Sequence, residues 1–433
     1  MNINTLYQYY LENPSICTDT RKITQGCLFF ALKGENFNAN TFAAKAIELG
    51  AAYAVIDDVN YQLNERFLLV DDTLKALQDL AVHHRKRLKI PVIGLTGSNG
   101  KTTTKELINS VLSEKFKTLA TKGNLNNHIG VPLTILEINH EAEIAIIEMG
   151  ANHQKEIAQL CQFSRPDFGL ITNIGKAHLE GFGGVEGIKI GKGELYDFLK
   201  DHNGTIFINN DSEALTQMAL AKNLQNTIFY GKGSDNFLSG QLVKNDPFLE
   251  VDWSHQGKTY HVQSQLTGTY NFENILAAIA IGLQFGLTPN QINNGINTYS
   301  PQNNRSQILK TANNTIICDY YNANPSSMSV AIDNISQLKA DQKVLILADM
   351  FELGDDTFLE HEMIVKKALL NHTFSRVIFV GEYFKAHQSH QGALFFAKTE
   401  ELASYLQDHT IKDSLVLVKG SRGMKLESVI EFL

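Results

Sequence analysis

Cysteine is scarce in this 433-residue chain: Cys17, Cys27, Cys161 and Cys318 are far apart, and no two form a C-x-x-C pair. That leaves no zinc-site spacing and no disulfide framework, and it fits a reducing compartment. Basic residues are outnumbered, 38 Lys and Arg against 46 Asp and Glu, for a net charge of −8. A broad nucleic-acid surface is therefore not expected, and the charge reads as solubility. Long apolar runs are also missing. The most apolar stretch, Ile275 to Leu283, is too short to span a bilayer. The N-terminus, Met1 to Tyr7, has neither the basic flank nor the apolar core of a secretory signal. No repeat or low-complexity segment occurs. The expectation is a cytoplasmic protein that engages neither nucleic acid nor membrane. The remaining composition, 43% hydrophobic and 19% charged, is that of an ordinary globular chain, and its length suggests two to four domains.

The stretch with the most chemistry is Thr96-Gly97-Ser98-Asn99-Gly100-Lys101-Thr102-Thr103. Before it, Pro91 to Leu95 is a short apolar run that reads as a buried strand. After it, Leu107, Val111 and Leu112 fall on one face of a helix over 103–114. Strand, glycine-rich loop and helix form the setting of a phosphate-binding loop. There backbone N–H groups and the helix N-terminus face phosphate oxygens, a lysine reaches the β and γ phosphates, and a hydroxyl ligates Mg²⁺. The strict G-x-x-x-x-G-K-[ST] pattern is not met, because Leu95 stands where its first glycine would fall.

Residues 1–88 read as a first α/β unit. Its strands fall at Cys27–Leu32, Ala52–Ile56 and Phe67–Val70, and its helices at 41–49 and 74–88. The second helix ends in His83-His84-Arg85-Lys86-Arg87, read as a solvated, dipole-favoured terminus. A central unit, 89–303, alternates helical segments with strand-like runs at Ile144–Glu148, Phe168–Thr172, Thr205–Asn209 and Thr227–Tyr230. Hairpins follow over 234–266 and a long helix over 271–285. A third unit, 304–433, repeats the alternation with strands at 315–320, 344–348, 376–380 and 415–418, and helices at 326–338, 358–370, 399–406 and 424–431. It reads as a second open α/β sheet.

Taken singly, few residues outside the loop declare a role. Glu148 ends a buried strand in the sheet carrying the phosphate loop, where a carboxylate can ligate nucleotide-bound Mg²⁺. His178 follows another strand, but a lone histidine is more often packed or on the surface. Lys192 reads by default as a solvated helix lysine. Asp319 ends a strand, and the polar turn after it, through Pro325, suits a helix cap as well as a ligand contact.

Together these pieces resemble the Mur ligases over nearly the whole chain. The resemblance is carried by the phosphate loop, Gly123-Asn-Leu-Asn-Asn127, Glu148-Met-Gly-Ala-Asn-His153 and Ala177-His-Leu-Glu-Gly-Phe-Gly183. It continues through Lys192-Gly-Glu194, Tyr270-Asn-Phe-Glu-Asn274, Asp319-Tyr-Tyr-Asn-Ala-Asn-Pro325, Asp349-Met-Phe-Glu-Leu-Gly354 and Val418-Lys-Gly-Ser-Arg422. It implies three domains: a UDP-substrate domain, a central P-loop-type ATPase domain with a mainly parallel sheet, and a C-terminal Rossmann-like domain. The implied chemistry is ATP-dependent amide formation in peptidoglycan precursor synthesis. The Asn-Leu-Asn-Asn, Tyr-Asn-Ala-Asn-Pro and Glu-Leu-Gly segments point to members that join D-alanyl-D-alanine to UDP-MurNAc-tripeptide. The resemblance puts Thr96 to Thr103 on ATP, and assigns metal to Thr102, Glu148, His178 and Lys192, with two Mg²⁺ ions and Lys192 carbamylated. It makes Lys101, Lys192 and His178 catalytic. It places Asn271 and Asn274 at adenine, brings Arg305 and Asp319 to the nucleotide, and assigns substrate to Thr20, Arg21, Asn126, Asn127, Tyr321, Asn322 and Asn324. A monomer is implied. Rival readings are folylpolyglutamate synthase-like or cyanophycin synthetase-like enzymes, which share the central domain, and a nucleotide-binding scaffold without chemistry.

Overall fold

The computed structural model describes residues 1–433 as a mixed α/β protein with three main sheets in succession along the chain. The first sheet is parallel, with strands ordered Ile16–Cys17, Leu28–Phe30, Tyr53–Ile56 and Phe67–Leu69. The second has nine strands. Third from one edge, Val92–Thr96 lies between Phe168–Ile171 and Ile144–Glu148, all parallel. Every residue of Val92–Thr96 and of Ile144–Glu148 is buried. This is why these stretches read as continuous apolar runs rather than alternating ones: helices cover both faces. The expected hairpins form an antiparallel margin, Leu238–Asn245, Leu249–His255 and Lys258–Gln263. The third sheet orders its strands Gln307–Lys310, Asn314–Asp319, Ser414–Lys419, Lys343–Ala348, Arg376–Val380 and Leu394–Phe396, parallel except for the first.

Two helices start on sequence-encoded caps, and the second borders the site. Thr288 and Gln291 close a capping box ahead of Pro289–Thr298. Asn324 and Ser327 do the same ahead of Pro325–Gln337. Each leaves Pro at the first helical turn, where its missing N–H costs nothing.

Two expectations are corrected. The basic end of the helix Thr73–Arg85 is solvated only in part: Lys86 and Arg87 are exposed, but Arg85 is 6% exposed and His84 8%. Arg85 donates to the carbonyls of Ser164 and Arg165, both at 2.8 Å, and to Asp167 at 3.0 Å. His84 Nε2 lies 2.8 Å from the Ile138 carbonyl, and Tyr10 donates to the Leu136 carbonyl at 2.7 Å. This helix thus anchors the N-terminal sheet to the central one. The helix expected at 424–431 is a pair of 3-10 turns, Arg422–Met424 and Leu426–Phe432, broken where Lys425 takes a left-handed φ of 52°.

Candidate active site

The phosphate loop joins the strand Val92–Thr96 to the helix Lys101–Ser113. Gly97 has φ +148°, and a Cβ there would lie 1.9 Å from Thr172 Oγ1. Gly100 caps the helix in the left-handed region, with Asn274 against it. Only glycine meets both demands. The end of the neighbouring strand holds the loop in shape. Ser98 N donates to the Asn173 carbonyl and Asn99 N to Asn173 Oδ1, both at 3.0 Å. Thr172 Oγ1 and Asn173 Nδ2 donate to the Asn99 carbonyl at 2.6 and 3.0 Å. Asn173 carries much of this work and was not singled out from sequence, since an asparagine after a strand has no distinctive pattern.

Lys101 Nζ donates to the carbonyls of Gly97 and Ser98 at 2.7 and 3.2 Å, so it arches over the loop. Burial pushes its pKa down to about 8, with the Arg305 charge adding and Glu148 opposing. Thr102 Oγ1 and Glu148 Oε2 are buried without a partner. The other Glu148 oxygen accepts from Asn126 Nδ2 at 2.8 Å. Two orphaned oxygens beside the loop are what a hard cation requires.

Lys192 is 1% exposed, on the glycine-rich helix Val185–Asp201, not solvated as its default reading had it. Its Nζ donates to the Ala151 carbonyl at 3.3 Å and lies over the Phe182 ring. Burial, seconded by the Lys101 charge, holds its pKa well below the usual lysine range. A neutral amine is the form that CO₂ can carbamylate.

A cavity of about 730 Å³ opens between the loop and the C-terminal sheet. Lys101, Asn126, Asn127, Glu148, His178, Asn271 and Asn274 line it from one side, and Arg305, Asp319, Tyr321, Asn322 and Asn324 from the other. Asn271 and Asn274 are bonded to each other at 2.9 Å, and Asn274 accepts from Thr104 at 2.9 Å. The Arg305 guanidinium stacks on the Tyr321 ring at 3.9 Å. Asp319 is held by Lys419 at 2.6 Å. Asn324 is committed on both atoms: Oδ1 caps its helix through Ser327 N, and Nδ2 donates to Asn99 Oδ1 at 2.7 Å. Asn127 Oδ1 likewise accepts from Ile129 and Gly130 N–H groups. Thr20 and Arg21 are not brought to this cavity; they sit on a short turn of the N-terminal unit, with Arg21 exposed and paired to Asp19 at 2.7 Å. The Glu352 carboxylate, paired with His178 Nδ1, also lines the cavity.

Residues 95–282 match the model of the Mur ligase middle domain, and residues 304–422 that of the Mur ligase glutamate ligase domain. The UDP-N-acetylmuramoyl-tripeptide–D-alanyl-D-alanine ligase of Bacillus subtilis is 35% identical over all of this chain and 97% of its own length. The chain belongs to the Mur ligase family. Among solved members, MurF from Acinetobacter baumannii superposes with a TM-score of 0.87 at 30% identity, over 99% of this chain and 98% of that one. MurF from Thermotoga maritima, solved in complex with ADP, gives 0.85 at 25% identity over 98% and 97%. Both likenesses extend over all three sheets. In this member one cavity lies between the phosphate loop and the C-terminal sheet.

Proposed function

We propose that this protein joins D-alanyl-D-alanine to the free carboxyl of UDP-MurNAc-tripeptide, using ATP, in peptidoglycan precursor synthesis. The observation that carries the proposal is the cavity itself. A phosphate loop with a half-buried lysine forms one wall, and a polar sheet edge of another unit forms the opposite wall. The names of the full-length relatives supply the substrates. The units are taken as residues 1–88 for the UDP moiety, 89–303 for ATP and 304–433 for the incoming dipeptide.

A carboxylate is a poor electrophile toward an amine at neutral pH. Phosphorylation by ATP gives the tripeptide an acyl phosphate, the dipeptide amine attacks its carbonyl carbon, and phosphate leaves. The protein's share is positioning and charge neutralisation. Lys101 faces the phosphates and neutralises charge that builds on the transferring group. The N–H groups of the loop and the N-terminus of Lys101–Ser113 cradle the same oxygens. Thr102, Glu148 and His178 are the residues that would hold Mg²⁺, with Lys192, once carbamylated, offering a carboxylate to a second ion. Bound Mg²⁺ supplies charge neutralisation on the phosphoryl oxygens. Asn271 and Asn274 are assigned to adenine, Arg305 to the phosphates across the cleft, and Asp319, through Lys419, to holding that wall in place. Thr20 and Arg21 are assigned to the UDP end. Tyr321 and Asn322 face the dipeptide, while Asn324 shapes that wall from its cap. Apposition of the C-terminal unit excludes water that would hydrolyse the acyl phosphate. The reading adds a monomer working in the cytoplasm; no helix is long and apolar enough to cross a membrane.

The test supplies purified protein with ATP, Mg²⁺ and UDP-MurNAc-tripeptide, and with either D-Ala-D-Ala or single amino acids. Phosphate release is followed together with product mass. Dipeptide-dependent product is expected, and folded Lys101→Ala protein is expected to form almost none, because a lost phosphate contact costs about 3 kcal/mol or more in the transition state. Equal product with L-Ala, D-Glu or diaminopimelate would overturn the substrate assignment, and near-normal turnover by Lys101→Ala the loop assignment.

A further inference from the structure

Asn324 does more than a helix cap requires. To cap Pro325–Gln337 it needs only an acceptor: its Oδ1 takes the Ser327 N–H at 2.9 Å, and Ser or Asp would serve as well. Its Nδ2 donates to Asn99 Oδ1 at 2.7 Å, across the boundary between the C-terminal and central units. Among the good caps only asparagine accepts through one atom and donates through another. Asn324 is 8% exposed, so this bond is shielded from water. On the far side, the main chain of Asn99 is fixed by Thr172 and Asn173, which holds its side chain toward the C-terminal unit. A second bond lies alongside. Ser326 Oγ accepts from Lys176 N at 2.9 Å, and in the same segment Gly175 N donates to Ser98 Oγ at 2.9 Å. The first turn of one C-terminal helix thus touches both the phosphate loop and the segment that braces it. The chain enters this turn directly from Tyr321 and Asn322, which line the cavity.

We propose that Asn324 is a positioning residue: through Asn99 it latches the dipeptide wall to the phosphate loop, so that the amine meets the acyl phosphate before water does. This rests on the ligase reading above and on its assignment of Tyr321 and Asn322 to the dipeptide. In ligation the amine nitrogen bonds to the acyl carbon, the carbon–oxygen bond to phosphate breaks, and the amine's proton passes to solvent. If the wall drifts, a water oxygen makes that bond instead, and the products are the original carboxylate and phosphate. ATP is then spent without an amide. The latch therefore acts on the ratio of the two outcomes, through placement of the amine.

The test measures phosphate released per amide formed by the full-length protein, with ATP, Mg²⁺, UDP-MurNAc-tripeptide and saturating D-Ala-D-Ala. The unaltered protein should release one phosphate per amide. Asn324→Ser keeps a capping oxygen but cannot reach Asn99. It should ligate about fivefold more slowly, the size of one neutral hydrogen bond, and at least double the phosphate released per amide. Asn99→Ser keeps the main-chain bonds of the loop and should uncouple in the same way. The double variant should be no worse than the poorer single one, because both lose one shared interaction. Lys176→Met loses the cross-boundary pair with Glu360 at 2.5 Å but not the latch, and its ratio should stay near that of the unaltered protein. Circular dichroism checks that each variant is folded. The proposal is overturned if Asn324→Ser keeps the ratio of the unaltered protein, if Lys176→Met raises it as much, or if the losses add in the double variant. No amide from the unaltered protein would sink the ligase reading and this proposal with it. A coupled parent with an equally coupled Asn324→Ser would sink this proposal alone.

Discussion

Asp349 and His361 should cancel each other's pH dependence, and removing either should expose the other. Both are buried, with Asp349 Oδ1 3.7 Å from His361 Nε2. Burial pushes the Asp349 carboxyl from 3.8 up to about 6; the Phe384 and Tyr383 N–H groups oppose this and the Glu382 charge adds to it. Burial pushes His361 from 6.5 down to about 4, against its bond to the Thr357 carbonyl and with the His387 charge adding. Its Nε2 already accepts from Met350 N, so a proton there would face a donor. Between about pH 4 and 6 the folded pair holds one proton, on Asp349. The unfolded pair also holds one, on the histidine. With equal protons bound in the two states, the pair contributes no slope. In His361→Gln only the raised carboxyl remains. Its contribution is complete below about pH 4 and is lost as pH rises through about 6, a relative fall of about 3 kcal/mol for two pKa units. In Asp349→Asn only the depressed histidine remains. Its contribution is complete above about pH 6.5 and is lost as pH falls through about 4, by a similar amount. Urea midpoints followed by circular dichroism from pH 4.5 to 6.5, each compared with the unaltered protein, should diverge with opposite slopes. Parallel pH profiles for all three proteins would refute the proton assignment.

Arg85→Met should lower the urea midpoint and separate unfolding of the N-terminal sheet from the rest. Two 2.8 Å bonds from a charged donor, to a buried and a half-buried carbonyl, are lost, about 3 kcal/mol together, whereas Lys86→Ala at the exposed neighbouring position should change little. Fluorescence of Trp253, buried in the central sheet, compared with circular dichroism reads this separation, and coincident transitions in Arg85→Met would refute the anchor. Lys192→Ala should be nearly inactive and partly rescued by acetate, which restores a carboxylate. Absence of any rescue across a millimolar acetate titration would count against carbamylation.

The sheets were legible because their strands are buried on both faces. Ile144–Glu148, Thr205–Asn209 and Arg376–Val380 stand where their apolar runs lie, and the helix Asn271–Gln284 follows its unbroken apolar face. Short or polar elements left no such trace. Thr118–Ala120 is an edge strand of three half-buried residues, and Gln307–Lys310 is another half-buried edge. The phosphate loop was legible as strand, glycine turn and helix, since local backbone geometry dictates those residue types. The support given by Asn173 was not, since it depends on which strand lies beside the loop.

Burial of charge was the hardest property to read, and its cause is visible at Lys192. Lysine on a helix is usually solvated, and only the glycines around it overturn that. A Cβ at Gly191 would lie 2.5 Å from the Phe182 ring, and one at Gly187 would lie 1.8 Å from the Phe182 carbonyl. The missing Cβ atoms let the 178–184 segment close over the helix and exclude water from Lys192, and this desolvation lowers the pKa of the amine. Arg85 shows the same logic with the opposite outcome. Its guanidinium cannot shed its proton at any ordinary pH, so burial forces a full set of acceptors around it, and the chain supplies them from Ser164, Arg165 and Asp167. A buried lysine can become a reactive amine, whereas a buried arginine can only be a strut. Partners decide the rest: Lys419 is as buried as Lys192 but pairs with the Asp319 carboxylate and is itself a strut, whereas the Lys192 amine meets only a carbonyl and a ring.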